Sequence, residues 1–404
     1  MHTRRSFLVS AGASAIAVAG SSTTAFAANE TLNVGLIGTG GRCRHLLKSL
    51  VKIPGVRVTA ISDVRDDALA ETQKQLGKTE LFVTKKYAEL LERKDIGAVL
   101  VASPDHQHVP MTVDACAAGK DVYVEKPLTH DLSEGAAVIA AQNDHKRIVQ
   151  VGTQQRSMPH IAKARAIIQG GGIGKVVKVH MTWNRNTDRV RRFKDTLNQK
   201  GVDWKAFLGK AREQPYDEYR MRNWRWFWDF GGGLFTDLMV HWIDVAHWIL
   251  NVDHPEKAVS LGEYVVAKDV WETPDTVQTV LQYPGNIQMH FEGTFANARE
   301  GAHIVFMGTE ANLYIDRGAY VLTPELRSKT AKADQQILSK QPAHRGADFY
   351  DEPDGELLHL TNWVECIKSR KPPTAPAEGG VGSAAAAHLA NMALRNGGTA
   401  EWKK

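Results

Sequence analysis

At 404 residues the chain exceeds the usual size of a single core, and 43% hydrophobic with 24% charged residues is ordinary for a globular protein, which excludes disordered, fibrous and multi-span membrane classes. A formal charge of +5 is modest and dispersed, apart from the arginines of the 185–192 stretch, so nucleic acid is not an expected partner. Cys43, Cys116 and Cys366 are odd in number and without CxxC spacing; this excludes a disulfide framework as the main source of stability, though one pair stays open in an oxidising compartment.

The chain starts His2-Thr3-Arg4-Arg5-Ser6-Phe7-Leu8, followed by a short apolar run from Val9 to Gly20 and a small-residue stretch ending Ala25-Phe26-Ala27. The paired arginines resemble a twin-arginine export signal, and the Ala-x-Ala ending predicts cleavage after Ala27. The run is too short and too rich in Gly, Ala and Ser to span a bilayer of about 30 Å. Loss of Arg4 and Arg5 would bring the charge to +3.

Leu32 to Ile37 is the kind of continuous apolar run that forms a buried parallel strand. It runs into Gly38-Thr39-Gly40-Gly41-Arg42-Cys43 and then a helical pattern, the context in which a GxGxxG turn lets backbone approach a pyrophosphate at a helix N-terminus. Cys43 stands where the third glycine is usual. The next strand, Val56 to Ile61, ends at Ser62-Asp63, the distance at which an acid binds the ribose hydroxyls of NAD and repels the extra phosphate of NADP. Arg42 and Arg65 keep NADP open as the lesser alternative. Further short runs at Ala98–Ala102, Asp121–Val124 and Ile148–Val151, separated by helical stretches, continue a parallel sheet. Their carboxyl ends gather Ser103 to His108, Glu125-Lys126-Pro127 and Gly152 to Arg156 around one crevice.

From Gly174 the period changes to alternation: Val177, Val179 and Met181 against Lys178, His180 and Thr182, read as a half-buried antiparallel strand. Similar runs at Lys257–Val266, Thr276–Tyr283, Asn286–Thr294, Ala302–Met307 and Asn312–Ile315 predict an open, mostly antiparallel sheet with helices on one side. The predicted fold is therefore α/β: an N-terminal Rossmann domain over 28–153 and a C-terminal α+β domain over 154–404. Between the first strands of the second domain lie Trp224 to Gly233 and a helix from about Leu234 to Leu250, on which Asp237, His241, Asp244 and Trp248 share one face. A polar stripe on an apolar helix must be paired or face a site. A core Asp–His pair is the bland alternative.

The combination of GxGGR, SPDHQH, EKP and GGGxxxDxxxH resembles the glucose-fructose oxidoreductase and inositol 2-dehydrogenase family, Gfo/Idh/MocA, over nearly the whole chain after the signal. The resemblance implies that Lys126 lies between nicotinamide and substrate, that Ser103, Pro104, His106 and His108 line the cofactor crevice, and that the open sheet face builds a homodimer or homotetramer. The full cofactor set is then Gly38, Thr39, Gly40, Gly41, Arg42, Asp63, Ser103, Pro104, His106, His108, Glu125, Lys126 and Gln154. The substrate set is Lys126, Arg156, Trp224, Arg225, Asp237 and His241. In the catalytic set, His241 takes the hydroxyl proton, Lys126 stabilises alkoxide character, and Asp237 orients the imidazole or bonds a neighbouring hydroxyl. No Cys or Glu cluster completes a ligand set around His106, His108, Asp237 or His241, so no metal is expected. The expected function is NAD-dependent oxidation of a secondary hydroxyl on a sugar or polyol, in the periplasm and with tightly bound cofactor. A redox-neutral glycosidase using the same residues and a non-catalytic sugar-binding protein remain the alternatives.

Overall fold

The computed structural model describes residues 31–77, 80–187, 190, 196–338 and 354–402. The expected signal segment, its cleavage point after Ala27 and most of 188–195 lie outside the described residues. No helix among the described residues is long and apolar enough to cross a membrane.

Six parallel strands form the first sheet: β1 (Leu32–Ile37), β2 (Val56–Ser62), β3 (Phe82–Thr84), β4 (Ala98–Val101), β5 (Asp121–Val124) and β6 (Val149–Val151), in the order β3-β2-β1-β4-β5-β6. Strands such as Ala98–Val101 and Asp121–Val124 are buried along their whole length because helices cover both faces, which is why they read as unbroken apolar runs. The order reverses between β1 and β4, and a crevice opens at their carboxyl ends. Phe82–Thr84 is too short to have signalled itself in the sequence.

The second sheet has nine strands, β7 (Val176–Asn184), β8 (Lys257–Glu263), β9 (Thr276–Tyr283), β10 (Ile287–Thr294), β11 (Ala302–Gly308), β12 (Ala311–Ile315), β13 (Ala319–Pro324), β14 (Asp334–Ile337) and β15 (Thr399–Glu401). Its order is β14-β13-β12-β11-β7-β10-β9-β8-β15. The expectation of an antiparallel first strand needs correction: β7 sits mid-sheet, antiparallel to β11 but parallel to β10. Alternation reports which face a strand buries and says nothing of its partner's direction. The turn at Gly285 and Asn286, both at positive φ, joins β9 to β10 as the sequence suggested.

One face of this sheet packs on the helices Pro159–Gln169, Val240–Leu250 and Ala377–Arg395, around Met181, Trp183, Phe291, Phe306, Trp242 and Leu389. The boundary drawn at 153 leaves out one element. Helix Gly355–Ser369, capped by Asp354 accepting from the Leu357 N–H, returns to the first sheet and buries Leu360, Trp363 and Ile367 against Leu47 and Tyr123. Nothing local in its sequence says which sheet it covers.

Candidate active site

The first pocket follows from the topological break. Gly38, at φ +78, turns the chain off β1 so closely that a Cβ there would lie 2.6 Å from the Ser103 backbone nitrogen after β4. Gly40 and Gly41 open onto empty space at the start of helix Gly41–Leu50, and no side chain caps that terminus. Its free N–H groups are thus available to an anion. Asp63, at the end of β2, accepts from the N–H groups of Thr39 (2.6 Å) and Arg65 (2.9 Å). Burial raises its carboxyl above the ordinary value against the pull of those donors and of the Arg65 charge. Ile37, Gly38, Gly40, Asp63, Ser103, Pro104, Met111 and Trp224 line the crevice. A carboxylate for ribose hydroxyls, a glycine turn and an open helix start fit a dinucleotide, with Gly38, Gly40 and Asp63 as its holders.

The second pocket, a cavity of about 310 Å³, lies outside the ends of β5 and β6 where the two sheets meet. Lys126 Nζ donates to the Asp237 carbonyl (2.7 Å) and to its Oδ1 (2.9 Å), and Arg225 Nε donates to the same Oδ1 (3.0 Å). The cavity is completed by His241, Glu125, Gln154, Arg42 and the side chains Trp183, Arg185, Arg222, Asn223, Trp226, Leu238 and Arg317. His241 is 7% exposed and stacks on Trp183, ring centroids 5.1 Å apart. Burial first, then the charges of Lys126 and Arg317, push its pKa well below 6.5, against the opposing charge of Asp237. His241 is therefore a neutral imidazole at physiological pH, able to accept a proton. Close by, Asp105 is held well above the usual carboxylate range, by burial first and against the charges of Lys126 and Arg225.

The single regular helix expected from Leu234 to Leu250 begins instead with a π-helical turn, Phe235–Met239, which passes into the α-helix Val240–Leu250. The shared polar face splits in consequence. Asp237 and His241 face the cavity, while Asp244 takes both Arg156 Nε and Nη2 at 2.7 Å.

Several sequence-based assignments change. Arg156, expected at the substrate, is 6% exposed and committed to that buried ion pair. His106 Nε2 contacts the Phe207 carbonyl at 2.8 Å and its ring packs on Phe230, so it ties the first domain to the second. His108 places its two ring nitrogens on the carbonyls of Pro127 (2.6 Å) and Ser103 (2.9 Å), bracing the loops after β4 and β5 from behind. Trp224 lines the nucleotide crevice and not the substrate cavity. Arg42, placed in the cofactor set, lines the cavity with Nε on Glu125 (2.9 Å) and Nη1 on Glu356 (3.2 Å). Thr39 contributes its N–H to Asp63 from a fully buried position.

Trp183, Arg185 and Arg317 line the cavity although the short motifs do not point to them. Trp183 and Arg185 stand at the far end of β7 and just beyond it, and Arg317 in the turn between β12 and β13. A basic run such as that from Arg185 reads equally as a solvated face or as a grip on an anionic or polyhydroxyl ligand, and Arg317 carries no local signal. Among the described residues, no group of three or more His, Cys, Asp or Glu side chains is arranged to hold a metal.

Comparison with known proteins agrees with this fold. The profile described as oxidoreductase family, NAD-binding Rossmann fold, matches residues 32–153, and that of the GFO/IDH/MocA C-terminal domain matches residues 205–314. The chain is 24% identical to myo-inositol 2-dehydrogenase of Thermotoga maritima over 86% of its own length and 92% of the relative's. It is 26% identical to scyllo-inositol 2-dehydrogenase (NAD(+)) of Bacillus subtilis over 84% of its length and 86% of the relative's. An uncharacterised oxidoreductase of Bacillus subtilis matches at 26% over 55% of this chain, and the chain spans about half, 54%, of that relative. A structure of levoglucosan dehydrogenase with NADH and levoglucosan superposes with a TM-score of 0.72 at 18% identity, covering 93% of this chain and all of that one, and shows the shared fold. With these two profiles matched and a two-sheet architecture, the chain belongs to the Gfo/Idh/MocA family of NAD-binding oxidoreductases.

Proposed function

We propose that the protein oxidises a secondary hydroxyl of a sugar-like or polyol-like substrate, with NAD held tightly across the two pockets. The observation that carries this is the convergence of Lys126, Asp237 and neutral His241 on one cavity that adjoins the dinucleotide crevice. The relatives whose printed activities concern inositols and levoglucosan support the substrate class.

The chemistry NAD supplies when bound is acceptance of a hydride from the carbinol carbon. The chain's residues do the rest. His241 takes the hydroxyl proton, for which its depressed pKa leaves it unprotonated. Lys126, positioned by the Asp237 carbonyl and carboxylate, donates to the same oxygen as negative charge builds there. Asp237 acts mainly by holding Lys126 and Arg225, while stacking on Trp183 sets the plane of the imidazole. The carbon loses a hydride, the oxygen loses a proton, and a carbonyl results.

Purified protein mixed with sugars and polyols, without added NAD, should show reduced nicotinamide by its near-ultraviolet absorbance in the first turnover. If no sugar or polyol reduces the bound or added cofactor, the reading fails. Release of an aglycone from an aryl glycoside without net oxidation would place the chain with the redox-neutral glycosidases instead.

Two further parts of the reading rest on sequence and surface. The Arg4-Arg5 segment supports export by the twin-arginine route to the periplasm, where scarce free NAD makes a retained cofactor advantageous. Changing both arginines to lysine should hold the precursor in the cytoplasm. The outer face of the second sheet exposes Val259, Leu261 and Val280, which supports assembly of copies through it. Light scattering that gives one chain's mass would remove that part.

A further inference from the structure

The dinucleotide crevice has a second wall, and it comes from the other domain. Ala206, Phe207, Met221 and Trp224 line it together with the glycine turn and Asp63, and all four belong to residues 199–224, between β7 and the π turn. Phe207 and Met221 are 6% and 2% exposed, so this wall is packed apolar surface and not a loop in water.

The segment is fastened to the first domain at two places. At the end of β2, Val202 and Arg65 form an antiparallel bridge, the Asp203 N–H donates to the Val64 carbonyl (2.8 Å), and Lys85 Nζ donates to the Gly201 carbonyl (3.2 Å). Just after β4, Gln107 Nε2 donates to the carbonyls of Ala206 (3.2 Å) and Phe207 (3.3 Å), which lie in the last turn of the short helix Trp204–Leu208 and have no N–H of that helix to accept from. Gln107 sits so close to the following turn that a Cβ on Gly209, at φ +55, would lie 2.2 Å from that nitrogen. Strands β2 and β4 flank β1 in the sheet, so residues 202–207 cross the carboxyl end of β1, where the glycine turn begins.

Within the segment the cohesion is of another kind. Trp204 stacks on Phe207 at 5.0 Å and meets Tyr216 edge-on at 5.5 Å. Aromatic packing holds the piece together, while the fastenings at β2 and β4 are single polar contacts, each of modest net worth. Such a piece can lift as a unit.

We propose that residues 199–224 are a gate over the adenosine half of the dinucleotide site: the cofactor passes only while the fastenings at Val64–Arg65 and Gln107 are broken, and the closed gate is what retains it. This rests on the retained-NAD part of the reading above and on nothing about the substrate. Residence then follows the fraction of time the gate is open, and entry and release scale with that fraction together.

The experiment loads the protein with NADH, adds excess NAD and no substrate, and follows release by the loss of nicotinamide fluorescence. Residues opposed across an antiparallel bridge have Cα atoms about 4.5–5.5 Å apart, within reach of a disulfide, so Arg65→Cys combined with Val202→Cys can be oxidised to pin the gate. Release from the pinned protein should slow by about 100-fold, because the opened state is denied to it, and dithiothreitol should restore the rate. Gln107→Ala removes two fastenings and should speed release by about 10-fold. Gln107 also lines the crevice, so entry of NADH into the emptied variant is measured beside release. A freed gate quickens both, whereas a lost contact to the cofactor quickens release alone. A cross-link confirmed by mass spectrometry that leaves release unchanged overturns the proposal, and so does a Gln107→Ala variant with faster release and unaltered entry. Slow release from the unaltered chain, indifferent to both changes, would defeat the gate and keep the tightly held cofactor. Release from the unaltered chain that is complete on mixing would defeat both.

Discussion

The two pockets are built in opposite ways. The nucleotide crevice is mostly backbone and apolar surface: a turn at Gly38, an open helix start at Gly40 and Gly41, and one carboxylate, Asp63, kept in place by two peptide N–H groups. The substrate cavity is mostly charged side chain, with Lys126, Arg225 and Asp237 cross-linked and His241 forced neutral among them. A backbone site tolerates changes of side chain but not of conformation. A side-chain site depends on each group in turn, and losses there should fall on rate more than on binding of the nucleotide.

The largest effect should therefore come from the cavity. Lys126→Ala and His241→Ala should each lower single-turnover hydride transfer by about two to four orders of magnitude, as expected for a lost proton-transfer or electrostatic group, while NAD stays bound. Stopped-flow absorbance beside a thermal melt checks this. Near-normal transfer in a folded variant would make these residues structural and erase the contrast between the pockets.

Arg156→Ala tests the reassignment of a residue the sequence pointed toward substrate. Removing one partner of its buried pair with Asp244 should cost about 3–5 kcal/mol in urea unfolding, because it strands a charge away from water. A stable variant that has lost affinity for substrate would restore the original assignment. The crevice should respond more mildly: Asp63→Ala should weaken NAD by about 1–3 kcal/mol, the cost of unmade ribose hydrogen bonds, measured by calorimetry. Unchanged affinity would remove Asp63 from the cofactor site.

The smallest and most distributed effect concerns pH. His106, His359 and His388 are pushed to about 4, by burial first, whereas the unfolded chain protonates them near 6.5. Above about 6.5 neither state binds the protons, and the stability is complete. As pH falls from there toward about 4 the unfolded state takes them up first, so stability is lost over that window. Urea midpoints should decline steadily across it. Hydride transfer should persist below the ordinary imidazole range, since His241 stays unprotonated there in the free enzyme. A rate that collapses near pH 6.5 would mean that His241 is not the base.

What could be read in advance follows the same division. Gly38, Gly40 and Asp63 were legible because a backbone turn needs particular residues at fixed spacing, and Lys126, Asp237 and His241 because two short motifs carried them. Arg156 misled since its distance from those motifs could not reveal that Asp244, one turn past His241, would claim it. The spacings of four and three residues from Asp237 to His241 to Asp244 looked like one helix face, and the π turn at Phe235–Met239 is a backbone event that side-chain periodicity does not encode. Arg317 was invisible because its place in the cavity is set by pairing of β12 with β13, some eighty residues away along the chain from Asp237.

Helix Gly355–Ser369 has a consequence for the order in which the molecule is made. All six strands of the first sheet have been synthesised by Val151, yet the part of one face around Tyr123, beside the helix Gly41–Leu50, stays uncovered until Trp363 and Ile367 leave the ribosome. Arg42, at the start of the glycine-turn helix, likewise waits for Glu356. The N-terminal half therefore cannot mature as an autonomous unit ahead of the rest; a nascent chain carries an exposed apolar face through most of its translation. Ribosome-stalled chains ending before residue 355 should need chaperone protection and fail to retain NAD, and the competence to do both should arrive together, late, with the last tenth of the polypeptide.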